Sequence, residues 1–550
     1  LFRSSFGKSG ETKDLTVSAA VTSTVVGSTT GANTISGNAV TISAAMSGTS
    51  IAIANKAAYS GAGSLTATAG GISISGGTSI TPTGNFQATG NITVSGTGQA
   101  LFNGVSVVSS AGSIGFTVGP YAGHAIQIQN TTLTTSAQPI NITGTSSSGD
   151  GAYILAGSKI STTSGAINIT GVGTDWGLFF ETADILSTTG NITIDGGVRG
   201  NVMGYGTTTT FGANATGSAS GNITVLGDRE WSGTTRAIYK TTGAVVLNSK
   251  SANYIEAPNY ANHTFTGCSS VSISNIAATW QVDMGITGNI AGPYIIQGQY
   301  INIAANSTLK TSLVKATGTT RNNGILVKAT DRIYVNSGAS FETSGADITF
   351  WSDSDASGVG ASYFGGTNVL KSSGGNITVA GGLDDGAALN PEITGRTRSD
   401  GYPDNYASGV NGLSENAGID FGTGHQLLSD GGQIFLAGQG SAVNTDSDMG
   451  VDIRGGLIYS AVGKIAIYGK APSDCQYNWH RGIFTGYGGN SHIISDSGAT
   501  DAIYLYGNTA SCNNGWSVYA SAIQGSSSWT NVAAPSGGGI KIYGIQGNAA

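Results

Sequence analysis

The segment GNITV begins at Gly90 and returns as GNITI from Gly190 and as GNITV from Gly221 and Gly375. Its apolar residues recur at every second position, the period of a strand, so Ile92 and Val94 point to one face while Asn91 and Thr93 point to the other. The same inward pair recurs as Ile192 with Ile194, Ile223 with Val225, Ile377 with Val379, Ile434 with Leu436 and Ile465 with Ile467. These six pairs are the candidate structural core. The pattern recurs with looser flanks at Ile72 and Ile74, Ile140 and Ile142, Ile167 and Ile169, Val245 and Leu247, and Val271 and Ile273. Further copies stand at Ile301 and Ile303, Ile333 and Val335, Ile503 and Leu505, and Ile540 and Ile542. A chain that rewrites one strand this often must stack its copies.

The spacing decides how. Successive pairs from Ile140 to Val245 are 27, 25, 31 and 22 residues apart. Propeller blades repeat at about 40 to 50 residues with four comparable strands each, whereas a solenoid tolerates drift because extra residues bulge from a corner. The sequence therefore predicts an all-β parallel β-helix of about 15 to 20 coils. The glycine before each strand fits a corner that needs positive φ or close backbone approach. Continuing the same ladder through Ile301 and Ile333 keeps the period, and the interval of 57 residues from Ile377 to Ile434 suggests a further coil near Ile419.

Composition agrees. Of 550 residues 88 are Gly and 10% are charged, with Ser, Thr and Asn in place of the usual helix formers, so helices should be rare. Hydrophobic residues at 39% supply a core and argue against disorder. A net charge of −7 without a Lys/Arg stripe argues against nucleic acid as a partner. No apolar run reaches the roughly 18 residues of a membrane span. Ten Asn-x-Ser/Thr sites, among them Asn91, Asn141, Asn168, Asn191, Asn222 and Asn376, read as outward polar positions of the strands rather than glycosylation acceptors.

Three regions differ in character. Residues 1–14 are charge-dense and read as a linker or an incomplete preceding coil; 15–347 are lean and rich in Ser, Thr and Gly; 348–550 carry long insertions. The chain starts at Leu1 without a basic-then-apolar leader, which suggests a mature product or a fragment, and GGGIKIYGIQGNAA at its end opens a coil without a polar cap, as though the helix continues. Insertions in a solenoid tend to form a binding face, so the loop aromatics Tyr477, Trp479, His480, Tyr487, Trp516 and Trp529 are the candidate binding residues. Cys475 and Cys512 are candidates for a disulfide between adjacent long turns, with two unpaired thiols as the alternative. No metal-ligand spacing appears and no cofactor is expected; the acidic corner NTDSDMGVD from Asn444 ranks low as a cation site.

The strings GGNITVAGG from Gly374, SDGGQIFLAGQG from Ser429 and GGLIYSAVGKIAIYGKA from Gly455 resemble the repeat region of filamentous-haemagglutinin-like adhesins, bacterial surface exoproteins exported by two-partner secretion. The resemblance implies a right-handed β-helix and a secreted or cell-surface location. It further implies adhesion or matrix building, with surface glycans or proteins as partners. The secretion domain of that family is not recognisable over residues 1–50. Two other readings stand beside it. One is a fibre subunit whose copies stack end to end through residues 1–14 and 537–550. The other is a β-helix polysaccharide lyase or hydrolase using acids among Asp384, Asp385, Asp400, Asp404 and Asp420. No acid recurs beside Arg or Lys in adjacent coils, so no catalysis is expected and no catalytic residue is assigned.

Overall fold

A computed structural model describes residues 5–6, 15–17, 21–22, 32–42 and 46–384, the last apart from 206–207, 215, 233–235, 252–253, 278 and 315–322; further on it describes 402–403, 405–410, 416–441, 448–472, 480–486, 488–509, 523–525 and 530–546. The chain is a parallel β-helix. The named elements are strands apart from the 3-10 turn Gly197–Arg199. Two compact units divide it, Leu1–Ser269 and Ser270–Ala550.

In the first unit each strand pairs in parallel with the strand one coil later. Ile72–Gly76 pairs with Ile92–Gly96, and the series continues through Ile114–Tyr121, Ile140–Ser146, Ile167–Val172, Ile192–Asp195 and Ile223–Leu226 to Ala244–Asn248. Two more such series complete the coil, one through Gln99–Asn103 and Ile126–Gln129, the other through Ser106–Ser109 and Thr132–Thr135. Register places Ile51, Ile72, Ile92, Ile114, Ile140, Ile167, Ile192, Ile223 and Val245 in one inward column, each at most 1% exposed. A parallel column two residues on takes Val94, Ile169, Ile194 and Val225, with Ile194 between Ile169 and Val225. Each such burial stabilises by about 1.5 to 3 kcal/mol. Aromatic rings fill the same interior, as in the run Tyr59, Phe86, Phe102 and Phe116.

The corner explains the repeated Gly-Asn. Neither Gly190 nor Gly221 has a positive φ; a Cβ on either would lie 1.9 Å from the carbonyl oxygen of Gly165 or Gly190 in the preceding coil. Close approach of backbone, not left-handed geometry, therefore selects glycine here. The asparagine is more than an outward polar residue. The Oδ1 of Asn91 accepts the N–H of Ser113, that of Asn191 the N–H of Asn222, and that of Asn222 the N–H of Ala244, each at the equivalent position of the next coil at 2.8 to 2.9 Å. Inside the corner, Ser109 and Thr241 donate to the carbonyls of Gly90 and Gly221.

The second unit repeats this plan, with one correction to the sequence-derived ladder. Val271 and Ile273 pair with Tyr294 and Ile296, and the column runs on through Ile325 with Val327 and Ile348 with Phe350 to Ile377 with Val379. From there Val379 pairs with Leu436, and Leu436 with Ile467. Ile301 with Ile303 and Ile333 with Val335 belong instead to a second sheet, between Val282 with Met284 and Phe364. Every coil carries several inward apolar pairs, and the period alone does not say which sheet a pair joins. For the same reason no extra coil lies near Ile419: Ile377 pairs directly with Ile434, and Ile419 sits in the second sheet between Ser362 and Val451. The 57-residue interval is one coil with an insertion.

From Asp347–Ser352 onward many strands are buried on both faces, including Ile377–Gly381, Ile434–Gln439 and Met449–Ile453. Outside the coil, Phe435, Ala437, Tyr468 and Tyr506 pack with Ala380 and with Tyr406 from the insertion. This is a second core, on the face that the first unit leaves to water.

Candidate functional site

Of the six loop aromatics that the sequence singles out, Tyr477, Trp479, Tyr487, Trp516 and Trp529 lie outside the described residues, as do Cys475 and Cys512. His480 is described, and it is not a surface group. It is 2% exposed, with Nδ1 3.5 Å from the Asp448 carboxylate, immediately before the buried strand Arg481–Thr485.

The residues assigned to the core form no site for a ligand. In the first unit Ile92 and Val94, Ile192 and Ile194, and Ile223 and Val225 are each at most 1% exposed. In the second, Ile377 and Val379, Ile434 and Leu436, and Ile465 and Ile467 are fully buried. Their work is to close the coil and hold its register.

Among the acids, Asp385, Asp400 and Asp404 lie outside the described residues. Asp420 is placed, and its setting reveals a cluster that the sequence reading missed. Register stacks Tyr334, Tyr363, Asp420, Asp452 and Phe484 in one column on the second sheet of the second unit. Arg454 reaches both carboxylates, its Nη2 3.1 Å from Asp420 Oδ2 and its Nε 2.8 Å from Asp452 Oδ2. Asp420 is 3% and Asp452 0% exposed, so one guanidinium binds two stacked carboxylates beneath the surface. Tyr334 and Tyr363 stack at 4.4 Å, and the Tyr363 phenol is pushed up to about 12, first by burial and then by the Asp420 charge. It remains a proton donor at any ordinary pH. The recurrence was present in the chain as GIDF from Gly418 and GVDIR from Gly450, two apolar-Asp-apolar strands one coil apart.

Two further acids hold the stem of the long insertion. The Tyr402 hydroxyl donates to Asp347 Oδ2 at 2.6 Å and the Ser408 hydroxyl to Asp353 Oδ2 at 2.8 Å, while burial pushes the Asp353 carboxyl up. Antiparallel bridges Gly381 to Asn405 and Gly360 to Ser408 close the same stem. Beside it, Lys328 lies 3.6 Å over the Trp351 ring, whose Nε1 donates to the Gly382 carbonyl. On the third sheet an open groove of about 410 Å³ runs over Gln426, Leu457, Asn490, His492 and Ile494.

These arrangements anchor loops and balance buried charge. Among the described residues no group of three or more His, Cys, Asp or Glu is placed to hold a metal ion, and no helix is long and apolar enough to cross a membrane. No protein-family model, curated protein or solved structure matches this chain.

Proposed function

We propose that this chain is a structural and adhesive scaffold of a bacterial surface or extracellular matrix. The observation that supports the reading best is the division of labour within each coil. The inward column from Ile51 to Val245 holds register without a break, so the outer face varies without disturbing the fold. Such a frame presents chemistry over distance, in keeping with the resemblance to filamentous-haemagglutinin-like repeats. The polysaccharide-degrading reading is less favoured, because Asp420 is engaged by Arg454 beneath the surface.

The test is attachment under flow. Beads coated with the full chain should adhere to cell or glycan-coated surfaces, and beads coated with heat-unfolded protein should not. In parallel, neutral and acidic polysaccharides should release no product. Product release that disappears in Asp420→Asn would overturn the scaffold reading in favour of an enzyme.

A further inference from the structure

The outer face of the first unit is built mostly from short side chains, which makes its exceptions informative. Its aromatic side chains that are described and not buried are Tyr121, His124, Tyr153, Trp176 and Phe179, all within a span of three coils. The other aromatic side chains described in that unit are buried. His124, Tyr153 and Phe179 form one stack, with ring centroids 4.6 and 4.7 Å apart. Beside it, Asp150 Oδ2 meets His124 Nδ1 at 3.0 Å and Asp150 Oδ1 accepts the backbone N–H of Trp176 at 3.1 Å. Trp176 carries the Arg229 guanidinium 3.8 Å over one face of its ring, and Arg229 Nε is held 2.7 Å from Glu256 Oε2. Trp176 is partly exposed, and among the described residues Arg229 is the one ring or cation contact on its ring.

We propose that this strip binds a glycan chain of neutral hexose or N-acetylhexosamine units, with Trp176 as the stacking platform; this rests on the adhesive reading above. A sugar offers an apolar C–H face to a ring and hydroxyls to neighbouring polar groups. Here the exposed Glu256 accepts hydrogen bonds and Arg229 donates them, while the buried Asp150 holds His124 and the Trp176 backbone in place. Acids outnumber bases around the strip, with Asp150, Asp175, Glu181 and Glu256 against Arg199, Arg229 and His124, which disfavours sulfated or uronic chains. The strip is also narrow. One flank is the column Thr117, Thr143 and Thr170, and the other is Val108, Thr134 and Ser161. A protein interface needs about 800 Å² on each partner around an apolar centre, whereas a linear ligand needs only a strip. The coil-to-coil step of about 4.8 Å suits a chain of sugar rings laid along it.

The experiment titrates the full chain with chitohexaose, mannohexaose and a heparin-derived hexasaccharide, followed by tryptophan fluorescence and calorimetry. A neutral hexasaccharide should bind more tightly than the heparin fragment. Trp176→Ala should weaken binding about tenfold or more, and Trp176→Phe should stay within about threefold of the parent. No binding of either neutral probe at millimolar concentration, tighter binding of the heparin fragment, or an unchanged affinity in Trp176→Ala would each overturn the site. An unchanged melting temperature in both variants separates lost contact from lost fold. The bead assay separates the two readings. Attachment that survives in Trp176→Ala while no hexasaccharide binds sinks this site and leaves the scaffold; hexasaccharide binding by beads that never attach does the reverse.

Discussion

Compare Ile167–Val172 in the first unit with Ile434–Gln439 in the second. Both present an inward apolar pair, Ile167 with Ile169 and Ile434 with Leu436, and both continue a parallel ladder. Their outer faces differ: Asn168 and Thr170 of the first are partly exposed, whereas Phe435 and Ala437 of the second are buried against other aromatics and Tyr406. A coil closed by its own inward stack is self-sufficient, and a coil that also carries an insertion needs a second core to seat it. The outer face is thus either a display surface or a foundation.

That contrast can be broken most forcefully at Arg454. Removing the guanidinium leaves two buried carboxylates without their cation, so Arg454→Met should destabilise by about 3 to 5 kcal/mol. Adding Asp420→Asn and Asp452→Asn should recover much of that loss in a denaturant titration. A loss below about 1 kcal/mol would mean that the cluster is solvated and that the second unit's outer layer is thinner than its burial implies.

The outward positions give the next largest effect. Tyr468→Ala empties a site only 3% exposed and should cost about 3 to 5 kcal/mol, while Thr170→Ala at an outward position of the first unit should stay within about 0.5 kcal/mol. Equal losses would erase the distinction between display face and foundation.

Much of this was legible from the chain, and the limits have physical causes. The strand period, the inward pairs and the parallel stacking follow from alternation and spacing, because they are local. Thus Ile194 and Val225, or Val379, Leu436 and Ile467, could be placed in the core from two-residue alternation alone, and register stacks them as neighbours. Sheet membership is not local. Ile301 and Ile333 carry the right pattern on the wrong sheet, since an inward pair looks alike on every side of the coil. The buried site was hidden for a related reason: Asp452 closes the acidic segment NTDSDMGVD, which reads as a corner, with Arg454 two residues beyond it, and only register places Asp452 on Asp420. The outward aromatics of the first unit were also missed, because Tyr153 and Phe179 alternate with inward residues and resemble core until the register is known.

A pH profile sharpens the comparison inside the first unit. The column Ile126, Ala152 and Leu178 continues as Asn201 and Glu230, with Asn201 Nδ2 2.5 Å from Glu230 Oε1. Burial pushes Glu230 from 4.5 up to about 8, and burial lowers buried His263 from 6.5 to about 3. Glu230 favours the fold fully below pH 4.5 and loses that contribution as pH rises to about 8; His263 favours it fully above pH 6.5 and loses it as pH falls to about 3. Between 4.5 and 6.5 the two slopes oppose each other, so these groups together predict a plateau with a decline on either side. The alkaline limb should amount to about 2 kcal/mol, at about 1.4 kcal/mol for each pH unit. Thermal melts of Glu230→Gln should lack that limb while keeping the acid one; a limb that persists would place its origin elsewhere.

The smallest effect is the one on which the two units must agree. Asn222 in the first unit and Asn376 in the second each use Oδ1 to accept a backbone N–H one coil on, from Ala244 and from Gln433, at 2.9 and 2.8 Å. Asn222 is exposed and Asn376 partly so, which lets water replace the lost acceptor, so replacement by Ala should cost about 0.5 to 1.5 kcal/mol in either unit. The corner glycines behind them, Gly221 and Gly375, meet backbone carbonyls at 1.9 and 2.0 Å from a notional Cβ. The corner is therefore the same device in a display coil and in a foundation coil. Denaturant titrations of the two Asn variants should give matching losses. A markedly larger loss in Asn376→Ala would show that the insertion-bearing coils lean on their corners more heavily, making the second core a dependent of the coil as well as its cover.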